Sequence, residues 1–231
     1  MLVLAGGTGS RMGCPKQFIE LLGAPALFYT LHTFEEAPEI VRIYATGERS
    51  HIENLAKESG ISKYAGCAAP GESRSLSTRN GLLLLEGEAP ETLVLVHDGS
   101  RCLVTPDLIK RVVAKATQGD ATDGVVPALP VSDTIKVAEN GTVLETLDRA
   151  KLYAVQTPQA FQLAMLRKVY ERSADRLRAA TDDASLIENA GGRILTVAGE
   201  KTNIKLTTPE DLILAEAILK ARAAPRAGGQ S

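Results

Sequence analysis

Glycine and basic residues are concentrated in one short stretch near the start of the chain, LAGGTGSRMGCPKQF at residues 4–18. Glycine lets backbone N–H groups approach phosphate oxygens closely, and concave arrays of N–H groups bind anions. Arg11 and Lys16 add two fixed positive charges to the same loop, and Pro15 limits how the loop can bend. Together these residue types predict a cradle for a polyphosphate.

Two common nucleotide-binding motifs do not fit this stretch. The Walker pattern needs Gly-Lys-Ser/Thr, whereas Lys16 lies between Pro15 and Gln17. The dinucleotide pattern G-x-G-x-x-G fails at its third glycine, where Met12 stands. The second predicted strand also lacks an acid at its end, about twenty residues further on. A nucleotide-dependent oxidoreductase on a Rossmann sheet is therefore an alternative of another class that these residues disfavour.

Short apolar strands alternate with helical patterns along most of the chain. The strand patterns cover residues 1–5, 40–46, 92–98 and 193–199, with a weaker one near Cys67. The helical patterns cover residues 24–37, 49–60, 73–86, 105–119, 164–180, 181–192 and 207–222. This alternation predicts an α/β fold, a Rossmann-like, mostly parallel twisted sheet flanked by helices. The carboxyl edge of such a sheet is where ligands bind, and the glycine-rich stretch follows the first strand.

Residues 131–156 interrupt the alternation with two strand-like arms around Asn140-Gly141. Asn-Gly between alternating residues is the strongest short signal for a β-hairpin. The arms carry apolar residues at Ile135, Val137, Val143 and Leu147. Since a lone two-stranded hairpin is marginal in water, these residues need a surface to cover them. We predict a protruding dimerisation arm at residues 131–151 that docks on a second subunit.

Composition limits the classes of protein that this chain can belong to. Of its 231 residues, 44% are hydrophobic, which suffices for one domain, predicted at residues 1–222, with a flexible tail at 223–231. The net charge of −2 without long charged runs disfavours a nucleic-acid or membrane-surface binder. We expect no membrane span and no secretory signal. Three cysteines without metal-type spacing favour a reducing, cytoplasmic setting.

The opening stretch resembles the signature loop of the sugar-nucleotide pyrophosphorylase and cytidylyltransferase superfamily. The further motifs VHDGSR, VSDTIK, LDRAKLYAVQTPQAF, TDDASLIE and NIKLTTPEDLILAEAIL are similar, in the same order, to the 2-C-methyl-D-erythritol 4-phosphate cytidylyltransferase family. The resemblance covers essentially the whole chain. It implies attack by a sugar-phosphate oxygen on the α-phosphorus of CTP, with Mg²⁺ as cofactor and a homodimer as the assembly.

The resemblance also implies a role for each site residue. The catalytic cations would be Arg11, Lys16 and Lys205. The residues facing CTP would be Ala5, Gly6, Gly7, Gly71, Ser77 and Arg101. Asp98 would bind Mg²⁺. Thr134, Arg149 and Thr157 would hold the sugar phosphate, with Thr134 and Arg149 reaching the neighbouring subunit from the arm.

Cations and a metal suit this reaction better than a general base does. A phosphate monoester has its second pKa near about 6, so the attacking group is already an anion at neutral pH. The difficulty is the approach of that anion to a triphosphate, which fixed positive charge relieves. A hydrolytic triad built on His97 and Asp98 is disfavoured, since the chain lacks a G-x-S-x-G elbow.

Two positions depart from the pattern of the family. Cys102 follows Arg101 where the family often has proline, and Thr202 precedes NIK where an acid is often found. Asp182 and Asp183 are interpreted as negative charges at a helix N-terminus and are left out of the site. A ribitol-5-phosphate cytidylyltransferase is the nearest alternative, and Arg149 is the residue expected to discriminate between the two activities.

Overall fold

The chain folds as a twisted sheet with helices packed on both of its faces. The structure is a computed structural model, and it describes residues 1–7, 9, 15–119, 122–171 and 174–224. The strands are β1 (Leu2–Ala5), β2 (Glu20–Leu21), β3 (Ala24–Pro25), β4 (Ile43–Gly47), β5 (Tyr64–Ala68), β6 (Leu93–Asp98), β7 (Gly124–Pro130), β8 (Lys136–Glu139), β9 (Thr142–Thr146), β10 (Tyr153–Val155), β11 (Gln159–Gln162) and β12 (Ile194–Ala198). The helices are α1 (Ala26–Glu36), α2 (Arg49–Glu58), α3 (Arg74–Leu82), α4 (Pro106–Thr117), α5 (Leu163–Tyr170), α6 (Ala174–Arg178), α7 (Asp183–Glu188) and α8 (Pro209–Ala223).

In the described residues, eight strands form one sheet in the order β10-β7-β11-β6-β1-β4-β5, with β12 beside β7. The pairings β1–β4, β1–β6, β4–β5 and β7–β12 are parallel. Strand β11 is antiparallel to both of its neighbours, and β10 is antiparallel to β7. Most strands therefore run in one direction, which confirms the predicted α/β fold with a mostly parallel sheet.

Successive residues of β1 show how the two faces of the sheet are covered. Val3 packs into a buried cluster with Phe34 of α1 and Leu108 of α4. Leu2, on the opposite face, packs into a second cluster with Phe161 of β11. Because side chains alternate along a strand, each core strand contributes to both clusters. The carboxyl ends of the strands are thereby held at one rigid edge.

The predicted helix caps are present. The Thr105 hydroxyl accepts the N–H of Leu108 over 3.1 Å, and Pro106 occupies the first turn of α4. Thr208 and Asp211 form a capping box at the start of α8. Local sequence signals therefore determine where these two helices begin.

The predicted hairpin is also present, as β8 and β9 joined at Asn140-Gly141. Both turn residues have positive φ, 49° for Asn140 and 79° for Gly141, as a type I′ turn requires. Every residue of the two strands is exposed. The docking of this hairpin on a second subunit stays a prediction.

Three strands and one helix differ from the sequence expectation. Strands β7, β10 and β11 were not expected, because β7 contains Pro127 and Pro130 and the other two strands are short. The continuous helix expected over 164–180 is two helices, α5 and α6. They pack on different elements, α5 against α7 and α6 against α3, which one straight helix could not reach.

The remaining expectations concern boundaries and membranes. The single domain at 1–222 stays a prediction, and residues 225–231 of the predicted tail lie outside the described residues. Within the described ranges, no helix is long and apolar enough to cross a bilayer.

Candidate active site

The glycine-rich loop and the loop after Asp98 lie side by side at the carboxyl edge of the sheet. Strands β1 and β6 are parallel neighbours, and Leu4 is the register partner of Asp98. The backbone N–H of Gly99 donates to the carbonyl of Leu4 over 2.8 Å. A Cβ at position 99 would lie 2.9 Å from that oxygen, so this close approach requires glycine. The two loops that carry most of the predicted site are therefore joined directly.

A cleft of ≈ 600 Å³ opens where these loops meet. The predicted site residues that line it are Gly6, Gly7, Lys16, Gly71, Ser77, Asp98 and Lys205. Other residues in the lining were not among the predicted site residues, and they include Gln17, Arg74 and the carboxylate Glu72. The structure thus brings into one cleft residues that are separated by up to two hundred positions in the chain.

A larger cavity of ≈ 720 Å³ adjoins the cleft on the other side of the glycine-rich loop. Its described lining is mainly apolar. It includes the carboxylates of Glu48, which caps the N-terminus of α2, and of Glu58, the last residue of α2, but no lysine or arginine. A polyphosphate would be repelled by those carboxylates and would find no cation among the described residues. The smaller cleft is therefore the better candidate for the nucleotide.

Gln17 holds the start of the glycine-rich loop in place. Its side-chain amide donates to the carbonyl of Ala5 over 2.7 Å and to that of Gly7 over 3.2 Å. Gly6 lies against Pro70, so close that a Cβ would stand 2.3 Å from the Pro70 side chain. These contacts explain why PKQF accompanies the glycines, since Gln17 ties both carbonyls to the turn at Lys16–Phe18.

Two lysines from distant parts of the chain converge on the cleft. The ammonium of Lys16 donates to the carbonyl of Thr207 over 3.2 Å, two residues beyond Lys205. The ammonium of Lys205 lies 2.9 Å from Oδ2 of Asp98. Arg11, the third predicted catalytic cation, lies outside the described residues.

Asp98 ends β6 as a buried anion surrounded by cations. Arg74 Nε donates to Asp98 Oδ1 over 2.8 Å, and Arg101 Nε lies 3.7 Å from Oδ2. Burial alone would raise the pKa of the Asp98 carboxyl, but Arg74 and Lys205 outweigh it and hold the pKa below its ordinary value. Asp98 is therefore ionised at neutral pH and carries its charge at the cleft.

His97 is part of the framework beneath Asp98. Its Nε2 lies 3.0 Å from the carbonyl of Arg101, which can only accept a hydrogen bond, so Nε2 carries the proton. Nδ1 then accepts from the hydroxyl of Thr157 over 3.0 Å, and the Thr157 oxygen accepts the N–H of Asp98 over 3.0 Å. Burial lowers the pKa of His97 to about 4. His97 is thus neutral with both ring nitrogens occupied, which does not suit a general base.

The structure gives Thr157 and Arg101 supporting contacts. Thr157 is buried, and its hydroxyl is engaged by His97 and the backbone of Asp98. Arg101 Nη1 donates to the carbonyl of Asn203 over 2.8 Å, two residues before Lys205. These contacts hold the backbone at Asp98 and the segment before Lys205 in fixed positions near each other. Direct contact of Thr157 or Arg101 with a substrate stays a prediction.

Gly71 and Ser77 form the wall opposite the glycine-rich loop. The N–H of Gly71 donates to the Ser77 hydroxyl over 3.0 Å, and that hydroxyl donates to the carbonyl of Ser73 over 2.9 Å. A Cβ on Gly71 would stand 2.5 Å from the backbone of Leu76. The loop before α3 therefore packs too tightly for any other residue at position 71.

Asp183 reaches the site although its sequence context provided no reason to include it. It is the first residue of α7, as expected for a helix N-terminal charge, but its Oδ2 accepts from Arg74 Nη1 over 2.6 Å. Arg74 itself follows the PGES stretch at the start of α3. The position of Arg74 just after Gly71 was the sequence signal that could have placed Arg74 in the site. The contact of Asp183 with Arg74 is visible only in the folded structure, because it depends on how α7 packs near α3.

The two arm residues lie apart from this cleft. Thr134 is exposed, and Arg149 is exposed with its guanidinium donating to the carbonyl of Ser132 over 2.8 Å. Neither residue is among the described residues that line the cleft. Their contact with the sugar phosphate stays a prediction.

Comparison with known proteins identifies the family. The sequence profile of the 2-C-methyl-D-erythritol 4-phosphate cytidylyltransferase (IspD) family matches residues 1–221. This chain belongs to that family. A cytidylyltransferase of this name from Rubrobacter xylanophilus is 63% identical over 221 residues, covering 96% of this chain and 94% of the relative. One from Geobacillus kaustophilus is 43% identical over 228 residues, covering 96% and 97%.

Solved structures agree with this assignment. The crystal structure of the Francisella tularensis 2-C-methyl-D-erythritol 4-phosphate cytidylyltransferase superposes with a TM-score of 0.79 at 28% identity, covering 94% of this chain and 97% of that chain. The Thermus thermophilus enzyme gives 0.73 at 29% identity, with 95% and 98% covered. The chain is thus a cytidylyltransferase that transfers CMP from CTP to methylerythritol phosphate, giving 4-diphosphocytidyl-2-C-methyl-D-erythritol and pyrophosphate in isoprenoid biosynthesis.

Proposed function

We propose that this cytidylyltransferase carries out the transfer in the ≈ 600 Å³ cleft, with the triphosphate of CTP lying between the glycine-rich loop and Lys205. The observation that carries the proposal is the convergence of Lys16 and Lys205 beside the ionised Asp98. Lys16 and Lys205, with Arg11, stabilise the negative charge that accumulates at the α-phosphorus. Gly71 and Ser77, on the opposite wall, face the cytidine.

The absence of a poised base in the described cleft suits an attacking group that is already ionised. The methylerythritol phosphate dianion needs no proton removed before it attacks. His97, the titratable group nearest to Asp98 in the chain, is buried and engaged through both nitrogens. Catalysis then depends on holding two anionic substrates together, which is the task of the cations.

We further propose that Asp98 binds Mg²⁺. Among the described residues, no three His, Cys, Asp or Glu side chains are placed to share a metal ion, so Asp98 would be the main protein ligand. A single carboxylate completed by phosphate oxygens and water is the usual donor set for Mg²⁺. The residues therefore fit an ion that arrives with the nucleotide. When bound, Mg²⁺ would neutralise part of the triphosphate charge.

The test of the lysine roles separates catalysis from binding. In Lys16→Ala and Lys205→Ala we expect turnover, followed as pyrophosphate release, to fall on the order of 10²–10³-fold, as is typical when one electrostatic contact to the reacting group is lost. Lys110→Ala, which removes an exposed lysine of α4, is the matched control. Near-normal turnover with only a raised KM for CTP would assign the lysines to binding alone.

We also propose that the arm completes the site of a partner subunit in a homodimer. Val137, Val143 and Leu144 on the hairpin are 40%, 57% and 61% exposed, and a two-stranded ribbon alone is only marginally stable in water. Docking would cover them and would carry Thr134 and Arg149 to the neighbouring cleft. The Arg149 guanidinium can grip a phosphate with two parallel hydrogen bonds, which lysine cannot reproduce.

Complementation between two inactive variants tests the arm directly. Lys16→Ala and Arg149→Ala proteins are mixed and allowed to exchange subunits. If the arm serves the partner, each heterodimer has one site with both defects and one site with neither, so activity returns. If subunit exchange is confirmed by mass and no activity returns, the arm serves its own subunit and the proposal is wrong.

A cytoplasmic location is proposed from the thiols. Cys67 and Cys102 are buried and free, as is usual for proteins kept in a reducing compartment. Cell fractionation with an antibody against the native protein tests the location, and recovery from an oxidising compartment would contradict it.

A further inference from the structure

A chain of polar groups that are buried or, at Arg74, half-buried runs from Asp98 away from the cleft. Arg74 bridges two carboxylates, donating from Nε to Asp98 Oδ1 over 2.8 Å and from Nη1 to Asp183 Oδ2 over 2.6 Å. The hydroxyl of Tyr170 donates to the other oxygen of Asp183. Asp183 is fully buried and Tyr170 is 4% exposed. The three residues come from the start of α3, the start of α7 and the end of α5.

Asp183 does more in this chain of contacts than supply a negative charge at the N-terminus of α7. A buried carboxylate requires partners for both oxygens, and here both partners lie outside α7. Arg74 in turn is held by two anions on one planar fork, so its guanidinium cannot rotate away from Asp98. The orientation of the Asp98 carboxylate therefore depends on Asp183 and Tyr170, which do not line the cleft, as well as on Arg74 and Lys205, which do.

We propose that Arg74, Asp183 and Tyr170 are positioning residues that fix Asp98 for metal binding. Arg74 occupies Oδ1, so a metal ion would take Oδ2, in place of the Lys205 ammonium that contacts this oxygen over 2.9 Å at the cleft. This inference rests on the proposed role of Asp98 as the Mg²⁺ ligand and extends it to the groups behind Asp98.

Electrostatics gives Asp183 a second effect on the same site. Asp98 is contacted by Arg74, Arg101 and Lys205, three cations for one anion. Asp183 shares the charge of Arg74, which leaves more of the negative charge of Asp98 for a divalent ion. Without Asp183, the excess of positive charge around Asp98 would oppose the binding of a divalent cation.

The experiment measures metal binding without turnover. The enzyme is titrated into Mn²⁺·CTP, with no sugar phosphate present, and the bound ion is followed by electron paramagnetic resonance. Calorimetry with CTP in EDTA gives the metal-free affinity. We expect Asp183→Asn to weaken Mn²⁺·CTP binding by about 10–100-fold, the usual effect of losing an outer partner of a metal ligand, while metal-free CTP binding does not weaken.

Two further variants keep the test independent of folding. Tyr170→Phe removes only the hydroxyl and should weaken Mn²⁺·CTP binding several-fold. Arg74→Lys keeps the positive charge but cannot bridge two carboxylates, so it should also weaken Mn²⁺·CTP binding. Tyr44→Phe is the matched control. Tyr44 is also buried, and its hydroxyl also lies near a charged group, the guanidinium of Arg42. It pairs with Leu2 at the start of β1, towards the end of the sheet away from Asp98.

The outcomes distinguish the positioning role of Arg74, Asp183 and Tyr170 from the proposed role of Asp98 as the Mg²⁺ ligand. If Asp98→Asn weakens Mn²⁺·CTP binding whereas Asp183→Asn, Tyr170→Phe and Arg74→Lys all bind like the wild type, the positioning role is refuted and the metal role of Asp98 stands. If Asp98→Asn also binds like the wild type, both are refuted. Losses in the three variants that Tyr44→Phe does not share support the inference.

Discussion

The buried His97 should make stability depend on pH in a window that can be calculated. Burial lowers the pKa of His97 to about 4 in the folded protein, against 6.5 in the unfolded chain. Between these values the unfolded chain binds a proton that the folded protein does not, so stability falls as the pH is lowered. The contribution of His97 to the free energy of unfolding should drop by about 2 kcal/mol between pH 7 and pH 5, and by about 3 kcal/mol at pH 4.

A difference measurement isolates this contribution from other groups. Urea unfolding is measured between pH 7.5 and pH 5 for the wild type and for His97→Gln, whose amide can still donate and accept but does not titrate. Asp98 contributes little in this window, because its pKa is lowered and its stabilisation is lost only below the ordinary carboxyl range. We expect the stability advantage of the wild type over the variant to shrink by about 2 kcal/mol. Parallel pH profiles for the two proteins would refute the buried, neutral imidazole.

The other predictions concern the cleft wall, the metal and the arm. Gly71→Ala should lower kcat/KM for CTP on the order of 10–100-fold, because its Cβ would stand 2.5 Å from the Leu76 backbone, whereas Gly87→Ala, with open space around it, is the control in the same assay. EDTA should abolish pyrophosphate release and excess Mg²⁺ should restore it; full activity in EDTA would exclude a required metal. Gly141→Ala places a side chain at φ 79°, which costs about 1 kcal/mol in the turn. Light scattering should therefore show a weakened dimer, and an unchanged dimer would show that the turn does not contribute to dimer formation.

The sequence predicts best where the determinants are local. Asn140-Gly141 specifies its hairpin turn, and Thr105 with Pro106 specifies the start of α4, because each depends on a few adjacent residues. The position of the glycine-rich loop follows from the strand before it. These local signals suffice to predict a candidate site at the carboxyl edge of the sheet.

The rest of the site depends on contacts between distant segments. Arg74 meets Asp183 across 109 positions of the chain, and Lys205 meets Asp98 across 107. Periodicity cannot show such meetings, and the interpretation of Asp183 as a helix-end charge was correct locally but incomplete. In the same way, strand β11 enters the sheet between β6 and β7 through long-range pairing that four residues alone do not indicate.

The most direct test of the proposed chemistry is pyrophosphate release from CTP with methylerythritol phosphate or ribitol 5-phosphate as the second substrate, measured for the wild type and for Lys16→Ala/Lys205→Ala. We predict rapid release with methylerythritol phosphate, far slower release with ribitol 5-phosphate, and loss of both in the double variant. Equal use of the two polyol phosphates would contradict the substrate assignment. Undiminished release in the double variant would contradict the assignment of the reaction to this cleft.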